Sequence, residues 1–256
     1  MLKAAITPKN KIMETKSGSW LNSGTTLGIG LIIAALVFGW FYSSAKRGDE
    51  AITVTGSAKR RISSDLVVWQ VGTSASASDL NTAYRQVSET IPKLKAYLVS
   101  KGIPEEQLVV QAIVTQTLKR RDSDGNETGE ITGYSLSQQI EVRSNDVQRI
   151  AQVSRESTEL LNQGLLVESS APKYYYTKLG DLKVEMLGEA AKDAKERAEK
   201  IASSTGSSVG SVRSARMGVL QITAADSTDV SDYGVYDTST IEKDITAVVN
   251  ISFTVK

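Results

Sequence analysis

Residues 182–203 read LKVEMLGEAAKDAKERAEKIAS and form the clearest helical pattern in the sequence. Small and apolar residues recur there at intervals of three and four, which predicts an amphipathic helix with one narrow buried stripe. The stripe consists of Leu187, Ala190, Ala191, Ala194, Ala198, Ile201 and Ala202. Because alanine carries no long side chain, this face allows the helix to lie close to a sheet or to another helix. Gly206 is predicted to end the helix.

A strand pattern closes the chain over residues 244–256. Apolar and mainly polar residues alternate there, which is typical of a strand with one buried face. The buried set is predicted to be Ile245, Ala247, Val249, Ile251, Phe253 and Val255. Further strands are predicted over residues 51–58, 66–76, 108–118, 131–142 and 209–222, with two short strands over 165–168 and 173–178. The polar segment 223–242 is predicted to be a mobile loop.

Two more amphipathic helices are predicted earlier in the chain. The first follows Ser78, a suitable N-cap with Asp79 in the first turn, and ends at Gly102. The second is capped by Ser144 or Asn145 and continues through residue 161. Together with the strands, these helices indicate an α+β body built from antiparallel sheets and three amphipathic helices.

An apolar stretch precedes this body. Residues 27–42 read LGIGLIIAALVFGWFY, inside a run from 17 to 45 without a charged residue. A helix over residues 25–44 would be about 30 Å long, the thickness of the hydrocarbon core of a bilayer. We therefore expect one N-terminal transmembrane helix in contact with membrane lipid. The predicted parts are a cytoplasmic basic tail (1–24), the anchor (25–44), a linker (45–50) and an extracytoplasmic domain (51–256).

The charges around the apolar stretch favour this orientation. Four lysines precede it and two basic residues follow it, which places the N-terminus in the cytoplasm and the body in the periplasm or outside the cell. The alternative is a cleavable signal peptide, because residues 43–45 are small and suit cleavage after Ala45. The apolar stretch is longer than the usual hydrophobic region of a signal peptide, and the aromatic residues Trp40, Phe41 and Tyr42 suit an anchored interface.

The composition excludes several kinds of chemistry. The sequence has no cysteine and no histidine, so disulfides, thiolate catalysis and histidine-based nucleophile activation are impossible. The chain carries 30 basic and 29 acidic residues, and residues 51–256 hold two more acidic than basic ones. A nearly neutral body lacks the basic surface that nucleic-acid binding requires. We therefore expect no nucleic-acid partner.

The remaining candidate sites have ordinary structural explanations. Residues Asp122, Asp124, Asn126, Thr128 and Glu130 have the spacing of a calcium loop, but its glycine and its bidentate glutamate are missing. Ser43 and Lys46 have a serine–lysine spacing without the partner motifs of that chemistry. The acids of the third helix are interleaved with bases, as on a solvated face: Glu185, Glu189, Asp193 and Glu196. We predict no catalytic residue, no cofactor and no metal site.

Tyrosines supply two possible contact surfaces. Consecutive tyrosines at 174–176 point to both faces of a strand, so one is predicted to be buried and another exposed. The exposed member would suit a subunit interface, although ordinary sheet packing explains the run equally well. The polar segment 223–242 also contains tyrosines and is the alternative binding region.

Several stretches of the body together resemble one known family. They are ITVTGSA (52–58), VGTSASASDLNTAY (71–84), SKGIPEEQLVVQ (100–111), GYSLSQQIEVR (133–143), AAKDAKERAEKIASSTGSSVGSV (190–212) and AVVNISFTV (247–255). In order and spacing they resemble the SIMPL-domain family of bacterial periplasmic and membrane-anchored proteins. The resemblance covers residues 51–256. It implies an α+β fold, ring- or channel-like homo-oligomers in some members and a link to envelope or oxidative stress; it supplies no catalytic residues.

The expected function follows from the anchor, the resemblance and the missing catalytic motifs. We expect a non-enzymatic, membrane-anchored envelope protein whose domain self-assembles into a ring- or channel-like scaffold. The first alternative is a module that binds a peptide, a glycan or a protein partner through segment 223–242. The second is a hydrolase that uses serine with lysine, or carboxylates alone.

Overall fold

The computed structural model describes residues 23–47, 50–229 and 231–256, and within the first of these ranges the side chains of residues 27–42. The described residues fall into two units, one before residue 52 and one over Ile52–Lys256. The predicted basic tail up to residue 22 and the middle of the predicted linker, residues 48 and 49, lie outside the described residues.

The first unit contains a single described helix, α1 (Ser23–Arg47). Large apolar side chains such as Leu31 and Phe41 are exposed along it. The rings of Phe38 and Tyr42 stack with their centroids 6.5 Å apart. Among the described residues, no helix combines the length and the apolar character that crossing a membrane requires.

The second unit has an α+β architecture with antiparallel sheets, as predicted. Its described helices are α2 (Leu80–Ser100), α3 (Val147–Glu156), α4 (Glu159–Asn162) and α5 (Leu179–Ser204), with a 3₁₀ turn over Glu105–Gln107. Its strands are β1 (Ala51–Ser63), β2 (Leu66–Ala77), β3 (Leu108–Val110), β4 (Val114–Arg121), β5 (Glu127–Ser144), β6 (Glu168–Ser169), β7 (Lys173–Tyr175), β8 (Val209–Met217), β9 (Gln221–Ala224) and β10 (Glu242–Val255).

The first sheet, sheet A, is built around the terminal strand β10. Its order is β1-β10-β8, and β9 also pairs with β10 beyond the end of β8. The predicted alternation of β10 is confirmed from Ile245 to Phe253, where every second residue is buried, whereas Val255 is only half-buried. Thr53, early in β1, contacts Ser252, late in β10. Arg61, late in β1, contacts Asp244, early in β10, so the two strands are antiparallel.

Helix α5 covers one face of sheet A. Its buried residues are Leu182, Met186, Ala190, Ala194, Ala198 and Ala202, which confirms the alanine-faced helix of the sequence. The predicted stripe was wrong at Ile201, which is 46% exposed. The close approach is possible because Gly56 of β1 lies under the helix. A Cβ atom on Gly56 would lie 2.2 Å from the carbonyl oxygen of Ala190.

The second sheet, sheet B, is built around the long antiparallel pair of β2 and β5. Its order is β3-β5-β2-β6, with β4 also on β5 and β7 also on β2. Helices α2, α3 and α4 enclose a separate core over this sheet with the fully buried Trp69. The Trp69 indole Nε1 donates a hydrogen bond to Ser169 Oγ at 3.0 Å, so β6 closes this core at the sheet edge.

The predicted N-caps of two helices were wrong, and one predicted helix is divided in the structure. The N-cap of α2 is Asp79 rather than Ser78, and that of α3 is Asp146 rather than Ser144 or Asn145, because these carboxylates accept the free backbone N–H groups of the first turn. The predicted second helix is interrupted after Glu156, and α4 follows as a separate short helix.

Two predicted strands are each divided in the structure. The strand over residues 108–118 is divided into β3 and β4, because residues 111–113 lie opposite only residues 138 and 139 of β5 and interrupt the regular pairing. The strand over 209–222 is divided into β8 and β9 around Gly218. The two short strands predicted over 165–168 and 173–178 correspond to β6 and β7, which are shorter than predicted. The first residues of the predicted loop 223–242 belong to β9.

Candidate binding surface

The segment between β9 and β10, residues 225–241, is held at both ends by buried charged side chains. Lys243 and Asp244 are consecutive residues of β10 and therefore point to opposite faces of sheet A. Both are almost completely buried, at 0% and 2% exposed. Buried charges are stable only with partners, and both sets of partners include residues of this segment.

Asp244 fixes the beginning of the segment on one face of the sheet. Its carboxylate accepts hydrogen bonds from Arg61 Nε at 2.9 Å and from the backbone N–H of Asp226 at 2.9 Å. Lys59 Nζ lies 3.0 Å from the same carboxylate. The Arg61 guanidinium, the Asp226 N–H and the Lys59 ammonium hold the pKa of Asp244 far below its usual range. Asp244 therefore stays ionised although it is buried.

Asp226 takes an unusual backbone conformation at this point. Its φ is +64°, in the left-handed region that non-glycine residues rarely adopt. The side chain of Asp226 accepts a hydrogen bond from Arg61, which also donates to Asp244. These two hydrogen bonds raise the pKa of Arg61, and the bond to Asp244 has the larger effect. The turn after β9 is thus maintained by contacts with β1 and β10.

Lys243 fixes the end of the segment on the other face. Its ammonium lies 3.0 Å from Asp237 Oδ2 and also donates to the backbone carbonyl of Thr240. Asp237 further accepts bonds from the backbone N–H and hydroxyl groups of Ser239 and Thr240. Burial alone would raise the pKa of Asp237, but these hydrogen bonds outweigh it and hold the pKa well below its usual value.

The middle of the segment is attached to the outer edge of β9. Ile222 N donates to Val235 O at 2.8 Å, and Asp237 N donates to Ile222 O at 2.8 Å. Gly234, with φ +87°, packs so tightly that a Cβ atom would lie 2.7 Å from Val219 Cγ1. The predicted mobile loop is therefore extensively hydrogen-bonded over its described residues.

This attachment presents an aromatic surface, which we call the tyrosine patch. It comprises Met217, Val219, Tyr233 and Tyr236, which are 67%, 47%, 97% and 46% exposed. Asp232 precedes the most exposed tyrosine, and its carboxylate has no hydrogen-bond or ion-pair partner among the described residues. Exposed aromatic and methionine side chains are enriched where proteins contact each other.

An uncovered edge strand adjoins the tyrosine patch. Strand β8 ends at Met217, and all its residues after Gly210 are exposed. Val212 and Met217 lie opposite Phe253 and Val249 and therefore on the α5 side of sheet A. Helix α5 does not cover them, since they are 57% and 67% exposed. Sheet A thus has an apolar margin open to solvent.

The other residues considered in the sequence have structural roles. Asp122 Oδ1 accepts the backbone N–H groups of Asp124 and Asn126 in a tight hairpin turn, and Glu130 forms an ion pair with Arg120. The described residues contain no cluster of acidic side chains that could hold a metal ion. The side chains of Ser43 and Lys46 lie outside those described.

The acids of α5 connect the helix to β1. Glu185 and Glu189 both accept hydrogen bonds from Arg60, and Asp193 accepts the backbone N–H of Ser57 at 2.8 Å.

In the tyrosine run, Tyr174 is buried, whereas Tyr175 and Tyr176 are half-buried. The sequence interpretation missed the buried pair Lys243 and Asp244. The available signal was the position of Lys243, two residues before Ile245 and therefore on the apolar face of β10.

Comparison with known proteins identifies the family. The family model SIMPL, described as a protein of unknown function (DUF541), matches residues 52–253. The chain belongs to the SIMPL family. A comparison with curated proteins gives no significant match. The SIMPL assignment covers nearly the whole second unit and assigns no reaction, so any role of this SIMPL domain must be inferred from its surfaces.

Proposed function

We propose that this SIMPL-family chain is a non-enzymatic, membrane-anchored envelope protein whose domain, residues 51–256, self-assembles into a ring- or channel-like scaffold. The observation that carries the proposal is the open edge of β8. Within the described residues this strand pairs on one side only, with β10. The strand has nine residues, of which all after Gly210 are exposed, and such an edge is a ready template for another strand.

The opposite edge of sheet A is protected, which makes the open edge more significant. On β1, the backbone N–H of Ser57 is already occupied by the carboxylate of Asp193. Arg60 of the same strand is bound by Glu185 and Glu189 of α5. Covered or charged strand edges do not accept a further strand, so the edge of β1 is closed to strand pairing. Strand β8 carries Arg213 and Arg216, but no other described strand covers its outer edge, so its backbone groups remain available to a second copy.

The membrane anchor is a proposal that rests on the sequence of residues 25–44, which contain no charge. Each subunit would bring one span, with the N-terminus in the cytoplasm and the body in the periplasm or outside the cell. A role in envelope or oxidative stress is the physiological setting that the family resemblance suggests. N-terminal sequencing of the mature protein tests the anchor, since a first residue at Lys46 would mean that the stretch is a signal peptide.

Charging the open edge tests self-assembly. We expect the double variant Val212→Lys, Met217→Lys of the detergent-solubilised full chain to lose mass by light scattering, because lysines on an edge oppose strand pairing. Val184→Lys is the matched control, since Val184 is 71% exposed on α5, away from this edge. An edge variant that keeps the wild-type mass would contradict association through β8.

A second candidate function is the binding of a different protein or of a peptide. The observation that favours it is Tyr233, which is 97% exposed on an attached segment and so is available as an aromatic anchor. The two functions differ in the occupant of the tyrosine patch. Loss of a captured partner without loss of oligomeric mass in Tyr233→Ala would favour the second.

A further inference from the structure

We infer that Tyr233 and Asp232 of one copy dock into a groove between β1 and α5 of a second copy of this chain. The inference rests on the proposed self-assembly and specifies one of its contacts. The two surfaces of this contact lie on different elements. Tyr233 follows β9, whereas the groove lies on the face of β1 under the end of α5. Tyr233 is 97% exposed, so it does not occupy the groove of its own chain.

The groove has an apolar floor and a basic rim. It measures about 440 Å³ and is lined by Val54, Thr55, Arg197, Lys200 and Ile201. Ile201 is 46% exposed there, although it belongs to the apolar set from which the helix stripe was predicted. An aromatic ring over the groove would remove Ile201 from water and pack against the already buried Val54, and burial of apolar surface is the main source of binding free energy at such contacts.

The charges beside the ring match those at the rim. Lys200 is exposed and forms no ion pair with any residue that the structure describes, whereas Arg197 is bound to Asp193 with Nε–Oδ2 at 2.8 Å. On the other copy, the carboxylate of Asp232 also lacks a partner among the described residues. One unpaired acid therefore accompanies the tyrosine, and one unpaired base borders the groove. Complementary charges of this kind fix orientation and exclude incorrect contacts.

The tyrosine patch continues the open edge of sheet A. Gly234 packs against Val219, and Val219 follows Met217 at the end of β8. A second copy that meets the strand edge therefore also meets Tyr233. Because the patch and the groove are different surfaces, the contact is heterologous, and its repetition builds a ring when the rotation closes.

Charge reversal across the contact tests the inference in the full-length, detergent-solubilised protein. We expect Asp232→Lys and Lys200→Glu each to raise the concentration for half-assembly about tenfold, because each brings like charges together. The double variant Asp232→Lys, Lys200→Glu restores the pair in reverse and should return to within about threefold of wild type. Lys183→Glu, an exposed α5 position with no ion pair among the described residues, is the matched control and should leave assembly unchanged.

Removing the ring gives a second, independent measurement. Tyr233→Ala should raise the half-assembly concentration about 30-fold, the size typical of an interface tyrosine. Tyr84→Ala removes an exposed tyrosine of α2, 54% exposed, and should not change it. Circular dichroism melting of each variant separates loss of assembly from loss of folding.

The outcomes separate this contact from self-assembly in general. A monomeric wild-type protein would overturn both proposals. Wild-type assembly that survives the single charge reversals and Tyr233→Ala would overturn the docking of Tyr233 alone, and the scaffold proposal would remain. Single variants that dissociate without recovery in the double variant would overturn the pairing of Asp232 with Lys200.

Discussion

Two consecutive residues, Lys243 and Asp244, decide how the segment before β10 is placed. They point to opposite faces of sheet A, and each binds partners from that segment: Asp237 for the lysine, Asp226 for the aspartate. The predicted strand began at residue 244, so the sequence interpretation did not include Lys243 in β10. It could not identify the partners, because Arg61 is brought to Asp244 by strand pairing across 183 residues.

The first prediction at this scale concerns the pair of Asp237 and Lys243. Asp237→Ala should reduce the free energy of unfolding by about 3–5 kcal/mol, because it leaves a buried ammonium without a carboxylate. Replacing the lysine as well, in Asp237→Ala, Lys243→Met, should recover a large part of this loss. Urea denaturation followed by circular dichroism measures both. A single variant as stable as wild type would mean that Lys243 reaches water when its partner is removed.

The same pair has a defined pH dependence. The pKa of Asp237 is lower in the folded protein than in the unfolded chain, so its stabilisation is present above about pH 4 and is lost as the pH falls further. The difference in unfolding free energy between wild type and Asp237→Ala should therefore narrow below pH 4. A difference that stays constant down to pH 2 would contradict the assigned ionisation.

At the scale of elements, the alanine-faced helix α5 was predicted correctly, but the sequence left open whether this face packs on a sheet or on another helix. The buried residues follow a strict spacing of four from Leu182 to Ala202. With 3.6 residues per turn, such a series winds gradually around the helix, and Ile201 of the predicted stripe is left exposed, whereas Leu187 is partly buried against the core. The sequence could not indicate this winding, because it depends on the path of the helix across the sheet.

Gly56 provides the prediction for this packing. Gly56→Ala should destabilise the protein by about 1–3 kcal/mol, since the new methyl group would overlap the α5 backbone at Ala190 and Ala194. Gly129→Ala is the matched control, because this glycine also lies in a strand and no atom lies within 4 Å of its added Cβ. Equal thermal melting of the two variants would mean that α5 can move away from β1 without cost.

The exact ends of helices depend on which of several neighbouring residues acts as the cap, and hydrophobic periodicity does not distinguish between them. Ser78 and Asp79 can both cap α2, and the structure uses Asp79, whose side chain accepts the backbone N–H of Thr82. Strand divisions depend on cross-strand contacts instead. Gly218, where β8 and β9 separate, donates its N–H to Val248 of the central strand at 2.8 Å.

At the scale of the whole molecule, the α+β class and antiparallel pairing were predictable from alternation and helical periodicity. The division into two sheets with separate cores was not, because nothing in a single strand records which partner it joins. The same limit applies to the candidate surface. Tyrosines in segment 223–242 were recognised as a possible contact region, but the exposure of Tyr233 and the open edge of β8 depend on the tertiary structure.

The oligomeric mass of the full-length protein in detergent tests the central claim most directly. Light scattering at micromolar concentration, corrected for bound detergent, should give a mass several times that of the 27.6 kDa chain. Negative-stain imaging of the same sample should give closed, ring-like particles. A uniform monomer of one chain mass under these conditions would contradict the claim that this SIMPL domain is a self-assembling scaffold.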